Sequence, residues 1–573
     1  MKVRFPIRSI LALALAAGLG VASAQSVDDL NNPPPGEWPQ YGRDAAQTRY
    51  SPLDQINTDN VGSMQLAWAR SMGFNQNFQG APSVWNGIMY ASNQTGVVAL
   101  DATNGEVLWT FSSPRDAEEI PIADSAPRGS PVVFDGKVFI NLRYGATVAL
   151  DATSGEELWR TQVTEPALQE GFTSHPIIAD GKIVLGPTGA DSGGSPGRIV
   201  AVDVEDGELL WSFDVVPMSP DDPAFDSWTN PPSWEDGIGG GSAWNVGGYD
   251  PVTRTVVYGT GQPTPWDRVD DRRRNEGEPT DDLYTASFVG LDVDTGDLKW
   301  YHQVVPADEW DYDQHIVPMF GDVTMNGEER RVALLPTTTG FMVVLDSDTG
   351  ELLAANLAAN ETTVHLGYDD DDRAIVNPEA RFTAEGQSHR MCPGLRWAHI
   401  APGAFSPDTG LVYRPNQIGC INFGPMVLPD DWQPGERAWF WDDFGRDDTM
   451  WFDRLGALSA IDPVTGETVW EYAHDYGHDI GPVVTGGGLV FSMFMDRYFR
   501  ALDAATGEVL WQQPLTAGSR GGSITYEVDG RQYVATVVGV SSVGSGAIPD
   551  FNPNADLPPI ATGQVSLFVY ALP

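Results

Sequence analysis

The stretch ALDATNGEVLW, residues 99–109, decides the fold because the same phrase returns along the whole chain. In each close copy an Asp precedes a Trp by eight residues. A further copy, VLDSDTGELLA (344–354), carries Ala354 in the position of the Trp. The other close copies are ALDATSGEELW (149–159), AVDVEDGELLW (201–211), GLDVDTGDLKW (290–300), AIDPVTGETVW (460–470) and ALDAATGEVLW (501–511).

Each copy has the pattern of two short strands joined by a tight turn. The Gly supplies a positive φ to the turn, and the Trp offers a large flat ring that can pack against a neighbouring repeat. Spacings of about 40–90 residues with four short strands per unit are typical of propeller blades. Two looser copies, at 249–258 and 405–413, fill gaps in the spacing, and strict and loose copies together indicate about eight blades. The sequence therefore predicts an all-β, eight-bladed β-propeller, with a β-solenoid as the alternative.

The composition supports a large fold made of strands and turns. With 573 residues, the chain suits several domains or one large repeat fold. Its 62 Gly, 43 Pro and 19 Trp favour short strands and turns over long helices. The net charge of −46 argues against nucleic acid and anionic lipid as partners. A solvated acidic surface explains this charge, and docking of a basic partner is the other interpretation.

The first 25 residues, MKVRFPIRSILALALAAGLGVASAQ, have the three parts of a secretory signal peptide. Three basic residues precede an apolar stretch at 10–22, and the small residues at 22–24 offer a cleavage site. A membrane anchor is the alternative, but the apolar run is short for a membrane span. We expect an exported, periplasmic protein with a signal peptide (1–24), an N-terminal linker (25–37) and a single propeller domain (38–573).

One short segment, DEWDYDQ at 308–314, combines four carboxylates with two aromatic residues. Its flanks indicate extended or loop structure. On an extended segment, residues i and i+2 share a face, so Asp311 and Asp313 are expected to point together and Tyr312 away. Two adjacent carboxylates repel each other unless a cation or a shared proton relieves the repulsion. A solvated acidic loop is the alternative, although Trp310 and Tyr312 make full solvation unfavourable. The segment is a candidate catalytic or metal site.

The repeats resemble the tryptophan-docking motifs of the quinoprotein alcohol dehydrogenases, eight-bladed propellers that use pyrroloquinoline quinone (PQQ). The opening segment at 38–68 and the segment at 498–535 resemble the same family, so the resemblance covers nearly all of the mature chain. Outer-membrane assembly lipoproteins use similar blades as scaffolds. A non-catalytic periplasmic propeller that binds proteins is therefore the alternative function, and the site residues must decide between the two.

The resemblance implies a metal site around the acidic segment. PADEWDYD resembles the family segment that carries the catalytic general base, which would be Asp311. Two residues further on, calcium-dependent members have a small residue and lanthanide-dependent members have a second Asp, which here is Asp313. Gln262 stands where the family has Asn, and Asp191 where it has Glu. The implied metal ligands are Asp191, Gln262, Asp311 and Asp313, with a lanthanide favoured and Ca²⁺ as the alternative.

The resemblance also implies the contacts of the PQQ cofactor. Trp244 in GIGGGSAW resembles the Trp that forms the floor under the planar quinone, and Arg128 resembles the Arg that pairs with a quinone carboxylate. The other positions that resemble family contacts to the quinone are Gln79, Thr173, Thr188, Arg396 and Trp397.

Several features depart from the family pattern or lie outside it. Ile122-Ala123 stand where most members have an adjacent Cys-Cys pair, and Thr338 stands where an Arg or Lys lies near the quinone. The two cysteines, Cys392 and Cys420, predict a disulfide in an exported protein, and the segment that spans them resembles the family segment with a Cys pair. These departures affect acceptor coupling and rate more than the reaction class.

The resulting hypothesis is oxidation of an alcohol to an aldehyde or ketone. Because the chain contains no CxxCH, it holds no covalently attached c-type haem, and electrons are expected to leave on a separate soluble cytochrome c. An acidic and aromatic insertion at 430–456 suggests a lid, or else a packed loop between blades. The identity of the alcohol, small or polymeric, and the choice between monomer and homodimer stay open. No nucleophile-elbow motif supports a hydrolase.

Overall fold

A computed structural model describes most of residues 25–573, and every structural statement below concerns the residues that it describes. The signal peptide predicted for 1–24 and residues 430–455 of the insertion predicted at 430–456 lie outside them. The described residues are 25–74, 79–93, 95–113, 129–164, 170–193, 196–229, 232–233, 237–264, 280–384, 387–394, 401–417, 419–425, 456–475, 480–519, 521–539 and 564–573.

The first half of the chain forms short strands with two small α-helices and two 3₁₀ turns. The α-helices are α1 (Val27–Asn31) and α2 (Ala190–Gly193), and the 3₁₀ turns are Val61–Ser63 and Phe225–Ser227. The strands are β1 (Tyr50–Ser51), β2 (Gln65–Phe74), β3 (Ser83–Trp85), β4 (Ile88–Ser92), β5 (Gly96–Asp101), β6 (Val107–Ser112), β7 (Val132–Phe134), β8 (Lys137–Asn141), β9 (Ala146–Asp151), β10 (Glu157–Gln162), β11 (Ile177–Ala179), β12 (Lys182–Leu185), β13 (Arg198–Asp203), β14 (Leu209–Asp214), β15 (Gly239–Gly240), β16 (Gly248–Asp250), β17 (Thr255–Gly259), β18 (Pro263–Thr264), β19 (Ser287–Asp292) and β20 (Leu298–Gln303).

The second half continues the same pattern, with a 3₁₀ turn at Pro378–Ala380. Its strands are β21 (Met319–Met325), β22 (Glu328–Pro336), β23 (Phe341–Asp346), β24 (Leu352–Leu357), β25 (His365–Tyr368), β26 (Ala374–Val376), β27 (His389–Met391), β28 (Ala404–Phe405), β29 (Val412–Gln417), β30 (Ile421–Phe423), β31 (Gly456–Ile461), β32 (Thr468–His474), β33 (Val483–Thr485), β34 (Leu489–Met493), β35 (Tyr498–Asp503), β36 (Val509–Pro514), β37 (Ser523–Val528), β38 (Arg531–Val538) and β39 (Gln564–Ala571).

These strands form the eight antiparallel sheets of an eight-bladed β-propeller, which confirms the predicted fold. In chain order, the first three blades are β3–β6, β7–β10 and β11–β14. The fourth blade consists of β16, β17, β19 and β20, the fifth of β21–β24, and the sixth of β28, β29, β31 and β32. The seventh blade is β33–β36, and the eighth is β37–β39 with β2. The second and third strands of a blade are buried, and the fourth is largely exposed, as β5 and β6 illustrate. The eighth blade joins the two ends of the chain, because β2 is its outermost strand and pairs with β39.

The repeats fasten each blade to the next, as their resemblance to docking motifs implies. In the first copy, Trp68 of the preceding blade donates its indole N–H to the carbonyl of Ala102 at 3.2 Å. A Cβ atom added at Gly105 would lie 2.6 Å from the Trp68 ring, and Gly105 has a φ of 75°. The Gly of the repeat is therefore required both by the turn and by the ring above it. Equivalent bonds join Trp109 to Ala152, Trp159 to Val204, Trp211 to Val293, Trp300 to Ser347 and Trp470 to Ala504.

In the copy without a Trp, a different side chain makes the contacts with the next blade. Asn356, two residues after Ala354, donates its amide Nδ2 to the carbonyl of Val464 in the next blade at 2.9 Å. A Cβ atom at Gly466 would lie 2.3 Å from the Cβ of Asn356. Asn356 thus takes over both the hydrogen bond and the contact with Gly that the indole makes elsewhere.

The two looser copies do not mark blades of their own. The segments at 249–258 and 405–413 join the first and second strands of the fourth and sixth blades, which also contain the copies at 290–300 and 460–470. The eighth blade contains no copy, because the turn between its outer strands is replaced by the two ends of the chain. The predicted number of blades is right, although these two assignments are wrong.

An N-terminal belt, residues 36–51, lies along the inner edges of the blades. An innermost strand leaves one row of main-chain groups unpaired, and carbonyls of the belt accept hydrogen bonds from this row in seven of the eight blades. The bonds, at 2.8–3.1 Å, run from Glu527 to Gly36, Val84 to Trp38, Val133 to Pro39, Tyr249 to Ala45, Phe320 to Ala46, Phe405 to Thr48 and Val484 to Arg49. In the third blade, Tyr41 packs against His175 with ring centroids 4.0 Å apart.

The guanidinium of Arg49 completes the belt. It is fully buried and donates to three main-chain carbonyls, those of Tyr41 at 2.6 Å, Pro482 at 2.7 Å and Ser523 at 2.6 Å. Burial lowers the pKa of Arg49 to about 10. Because these carbonyls belong to the belt, the seventh blade and the eighth blade, one side chain ties the closing blades to the start of the chain.

The predicted disulfide is confirmed, since Cys392 and Cys420 are bonded. It joins the end of β27 to the segment before β30, and these two strands pair with each other. No helix in the described ranges has the length and apolar character needed to cross a membrane.

Candidate active site

The candidate site lies where the first strands of the third, fourth and fifth blades begin and their second strands end. Trp244 precedes β16 and Asp313 precedes β21, while Asp191 follows β12 and Gln262 follows β17. In an antiparallel blade, the start of the first strand and the end of the second lie at the same end of the sheet. The fold therefore brings these side chains from three blades to one end of the propeller.

Asp191 is held in place by the loop that precedes β16. It lies in the short helix α2, and its Oδ1 accepts a hydrogen bond from the main-chain N–H of Ser242 at 2.7 Å. The N–H of Asp191 in turn donates to the hydroxyl of Ser242 at 3.1 Å. A Cβ atom at Gly261 would lie 2.5 Å from Oδ1 of Asp191, so a glycine is required beside this carboxylate.

Gln262 connects Asp191 with Asp313. Its main-chain N–H donates to Oδ1 of Asp313 at 2.9 Å, and its Nε2 lies 3.5 Å from the carbonyl of Asp191. Its Oε1 is buried without a hydrogen-bond partner. A buried amide oxygen without a donor is costly, and a cation bound beside the carboxylates would satisfy it.

Trp244 forms one wall of the same cluster. Its indole N–H donates to Oδ2 of Asp313 at 2.9 Å, and its carbonyl accepts a hydrogen bond from the hydroxyl of Thr173 at 2.7 Å. The ring of His315 stacks on it, with centroids 4.5 Å apart and an interplanar angle of 24°. The indole remains partly exposed, which suits stacking against a planar ligand. No motif in the sequence pointed to His315.

Asp311 is placed beside Asp313 by a loop, not by a strand. Both side chains are buried, with 5% and 4% of their surface exposed. Asp311 has a φ of 63°, in the left-handed region, and no strand covers 308–318. Strand alternation therefore does not set its direction, and of the two forms expected for this segment, extended or loop, the structure shows a loop. The two Cα atoms, two residues apart, lie within about 7 Å of each other.

The remaining acids of DEWDYDQ, Asp308 and Glu309, have structural roles that were not predicted from the sequence. Asp308 is fully buried and accepts hydrogen bonds from the main-chain N–H groups of Trp310 at 2.9 Å and Tyr312 at 2.7 Å. Glu309 pairs with the guanidinium of Arg381 at 3.1 Å, and Arg381 stacks over Trp310. The local signal for Asp308 was the tendency of Asp to bind a main-chain N–H two residues on.

The predicted quinone contacts are placed in part. Gln79 is buried before β3, and its Nε2 has no hydrogen-bond partner among the described residues, so it can donate to a ligand. Thr188 exchanges two main-chain hydrogen bonds with Gly171. Arg128, Arg396 and Trp397 lie outside the described residues, as does the Ile122-Ala123 pair.

The chemistry of the donor set suits a hard cation, but the carboxylates of Asp191, Asp311 and Asp313 do not all lie within 4.8 Å of one another. Three carboxylates and the unpaired amide oxygen of Gln262 are oxygen donors of the kind that Ca²⁺ and lanthanide ions prefer; the carboxylates are those of Asp191, Asp311 and Asp313. In the described part of the chain, one group of three acidic, Cys or His side chains has ligand atoms within 4.8 Å of one another, namely Glu361 with the disulfide cysteines Cys392 and Cys420. Because those sulfurs are bonded to each other, that group is not a metal site.

The chain is also similar in sequence to known proteins. Residues 38–129, 162–356 and 443–534 match the PQQ family model described as "Glucose/ethanol/alcohol dehydrogenase, beta-propeller domain". The dehydrogenase subunit of the quinone alcohol dehydrogenase of Gluconacetobacter polyoxogenes is 32% identical over 543 residues, which cover 88% of this chain and 72% of that protein.

Two further similarities involve methanol dehydrogenases. The lanthanide-dependent methanol dehydrogenase of Methylacidiphilum fumariolicum (strain SolV) is 31% identical over 557 residues, which cover 93% of this chain and 89% of that protein. The solved structure of a europium-containing methanol dehydrogenase matches with a TM-score of 0.81 and 30% identity, covering 95% of this chain and 100% of that one.

Proposed function

Because the chain belongs to the family of PQQ-dependent alcohol dehydrogenases, we propose that it oxidises an alcohol to an aldehyde or ketone with Asp311 as the general base and a lanthanide ion as the metal. The observation that carries this proposal is the cluster of buried oxygen donors around Gln262 and Asp313. Membership of an enzyme family also decides against the non-catalytic scaffold that the sequence left open.

In this mechanism the residues of the chain bind, orient and move a proton. Gln79 offers an amide donor and Trp244 a partly exposed ring to the cofactor. Asp311, buried from bulk water, accepts the hydroxyl proton of the alcohol. Bound PQQ would supply the acceptor for the two electrons and the proton that leave the alcohol carbon, and a metal ion held by Asp191, Gln262, Asp311 and Asp313 would supply a Lewis acid.

The choice of a lanthanide rests on the number of carboxylates. A trivalent hard cation is better neutralised by three carboxylates than a divalent one, and a third carboxylate at Asp313 supplies that charge. Asp313 keeps one oxygen bonded to Trp244 and the other to Gln262 N, so both bonds hold the carboxylate at the edge of the cluster. The two methanol dehydrogenases named above, one lanthanide-dependent and one europium-containing, support this choice.

We also propose a periplasmic location and a separate electron acceptor for the enzyme. The signal peptide supports a periplasmic location, and the absence of CxxCH from the sequence supports electron transfer to a separate soluble cytochrome c. The net charge of −46 favours an electron acceptor with a basic docking face.

Dye-linked alcohol oxidation by the PQQ-loaded protein tests the proposal, with La³⁺ compared with Ca²⁺. We expect turnover with La³⁺ and its loss in Asp313→Ala. Turnover with Ca²⁺ that survives this substitution would retain the enzyme but disprove the lanthanide. Asp322→Ala, which removes an exposed carboxylate from β21, is the matched control and should keep wild-type turnover.

A further inference from the structure

The peptide between Asp311 and Asp313 is held by a pair of buried side chains outside the proposed ligand set. Nε2 of Gln314 donates to the carbonyl of Tyr312 at 2.7 Å and to the hydroxyl of Thr338 at 2.7 Å. We propose that Gln314 and Thr338 are positioning residues for the alcohol oxidation, which fix the Tyr312 carbonyl and thereby the directions of both carboxylates. This inference rests on the proposed function.

The two side chains form a closed set of hydrogen bonds. The hydroxyl of Thr338 accepts from Gln314 and lies 3.4 Å from the carbonyl of Tyr312, to which it can donate. The main-chain N–H of Thr338 donates to Oε1 of Gln314 at 3.4 Å. Both side chains are fully buried, so neither can replace a lost partner with water, and each depends on the other.

Other contacts fix the rest of the segment. The N–H of Tyr312 is bound by Asp308 at 2.7 Å, and its hydroxyl donates to the carbonyl of Pro393 at 3.0 Å. The main-chain N–H of Gln314 donates to the carbonyl of Thr260 at 2.9 Å. The peptide from Tyr312 to Asp313 is thus the unit whose rotation the pair restrains.

Rotation of this peptide would change the site directly. Asp311 holds a left-handed φ of 63°, a conformation that non-glycine residues keep when the surroundings enforce it. A general base displaced by about 1 Å can lose on the order of a hundredfold in rate. Gln314 and Thr338 reach the chemistry through the backbone, since each is enclosed by protein and their bonds end on Tyr312 and on each other.

Paired substitutions test the proposal in the PQQ-loaded protein. Gln314→Ala removes the side-chain hydrogen bonds to Tyr312 and Thr338. Thr338→Val removes the hydroxyl at nearly constant shape, and Thr338→Ser keeps a hydroxyl at this position. Thr337→Val is the matched control, because the hydroxyl of Thr337 bonds within its own turn, to Thr339 and Phe341. The measurements are kcat, KM, the thermal midpoint and the dissociation constant for La³⁺ by calorimetry.

We expect kcat to fall about tenfold or more in Gln314→Ala and Thr338→Val, with KM within twofold of wild type and weaker La³⁺ binding. Thr338→Ser should recover most of kcat, and Thr337→Val should lower the thermal midpoint without lowering kcat. Wild-type kcat and La³⁺ affinity in both test variants, or an equal loss of kcat in Thr337→Val, would overturn the proposal. If the wild type shows no turnover, the proposed function fails, and the La³⁺ affinities of the same variants still decide the positioning role.

Discussion

The docking contacts between blades and the candidate active site use similar residues in opposite ways. At the docking contacts, a Trp donates to a main-chain carbonyl and covers a Gly, and the same arrangement recurs from blade to blade. At the site, Trp244 also donates its indole N–H, but to the carboxylate of Asp313, and its ring stays partly exposed. At the docking contacts the aromatic residues are used in repeated contacts within the protein, while the candidate site leaves polar atoms available to a ligand.

This difference indicates where substitutions should affect stability and where they should affect catalysis. A docking contact buries a large apolar ring and satisfies one carbonyl, so its loss should lower the free energy of unfolding. The site contains buried oxygen atoms such as Oε1 of Gln262 that no protein donor satisfies. Natural proteins accept such a cost at functional positions, so substitutions there should change activity more than stability.

The largest effect is expected for Asp311→Asn. Removal of a general base should lower kcat by about 10²–10⁴-fold. The thermal midpoint should stay close to that of wild type, because Asn also tolerates the left-handed conformation of this residue. Steady-state kinetics and calorimetry check the two halves. A large loss of thermal stability with little change in kcat would show that Asp311 stabilises the fold and does not act in catalysis, which contradicts the difference drawn between the two regions.

The reverse pattern is expected for Trp211→Ala. This buried ring donates to the carbonyl of Val293 at 3.0 Å and covers Gly296. Its truncation should lower the free energy of unfolding by about 3–5 kcal/mol and leave kcat per folded molecule unchanged. Chemical denaturation measures the first quantity. Trp211→Phe, which retains a ring but not the N–H, should lose about 1 kcal/mol, and equal losses in both variants would contradict the role of ring burial.

A pH-dependent effect is expected from His302 in the outer strand of the fourth blade. Burial lowers the pKa of His302 from 6.5 to about 4, so the unfolded chain takes up a proton at a higher pH than the folded chain does. This contribution to stability is present above pH 6.5 and is lost as the pH falls towards 4. His302→Gln can still reach Tyr368. Between pH 7 and 4.5 its free energy of unfolding should fall by about 2 kcal/mol less than that of the wild type. Identical pH profiles of unfolding would show that burial does not depress this pKa.

The smallest effect is expected for Asn356→Ala. Loss of the hydrogen bond to Val464 should lower the free energy of unfolding by about 1 kcal/mol, less than the loss of a docking Trp. Denaturation of this variant beside Trp211→Ala ranks the two kinds of contact. A loss as large as that of Trp211→Ala would mean that the hydrogen bond, and not the buried ring, dominates docking.

The fold was predictable because its signal is repeated. Asp, Gly and Trp recur at fixed spacing, so an exception such as Ala354 does not obscure the pattern. The role of Asn356 could not be read in advance, because a single amide has no repeat to identify it. The belt was also invisible, since its bonds to the blades run through main-chain carbonyls, which leave little trace in side-chain identity.

The site was predictable from resemblance at the level of the segment, but not atom by atom. The sequence singled out Asp311 and Asp313, but it could not show that Asp308 accepts hydrogen bonds from two main-chain N–H groups on either side of the left-handed residue Asp311. Nor could it show that Gln314 bonds across to Thr338, because the two lie 24 residues apart in the chain.

The N-terminal belt has a consequence for the order in which the molecule is assembled. Residues 36–51 are made first, yet their partners include Val484 and Glu527, and β2 pairs with β39 at the far end of the chain. During synthesis the carbonyls of Arg49 and Gly36 therefore cannot pair with their donors until the last two blades have been made. Contacts over such long sequence separations slow folding, so we expect the ring to close in a late step.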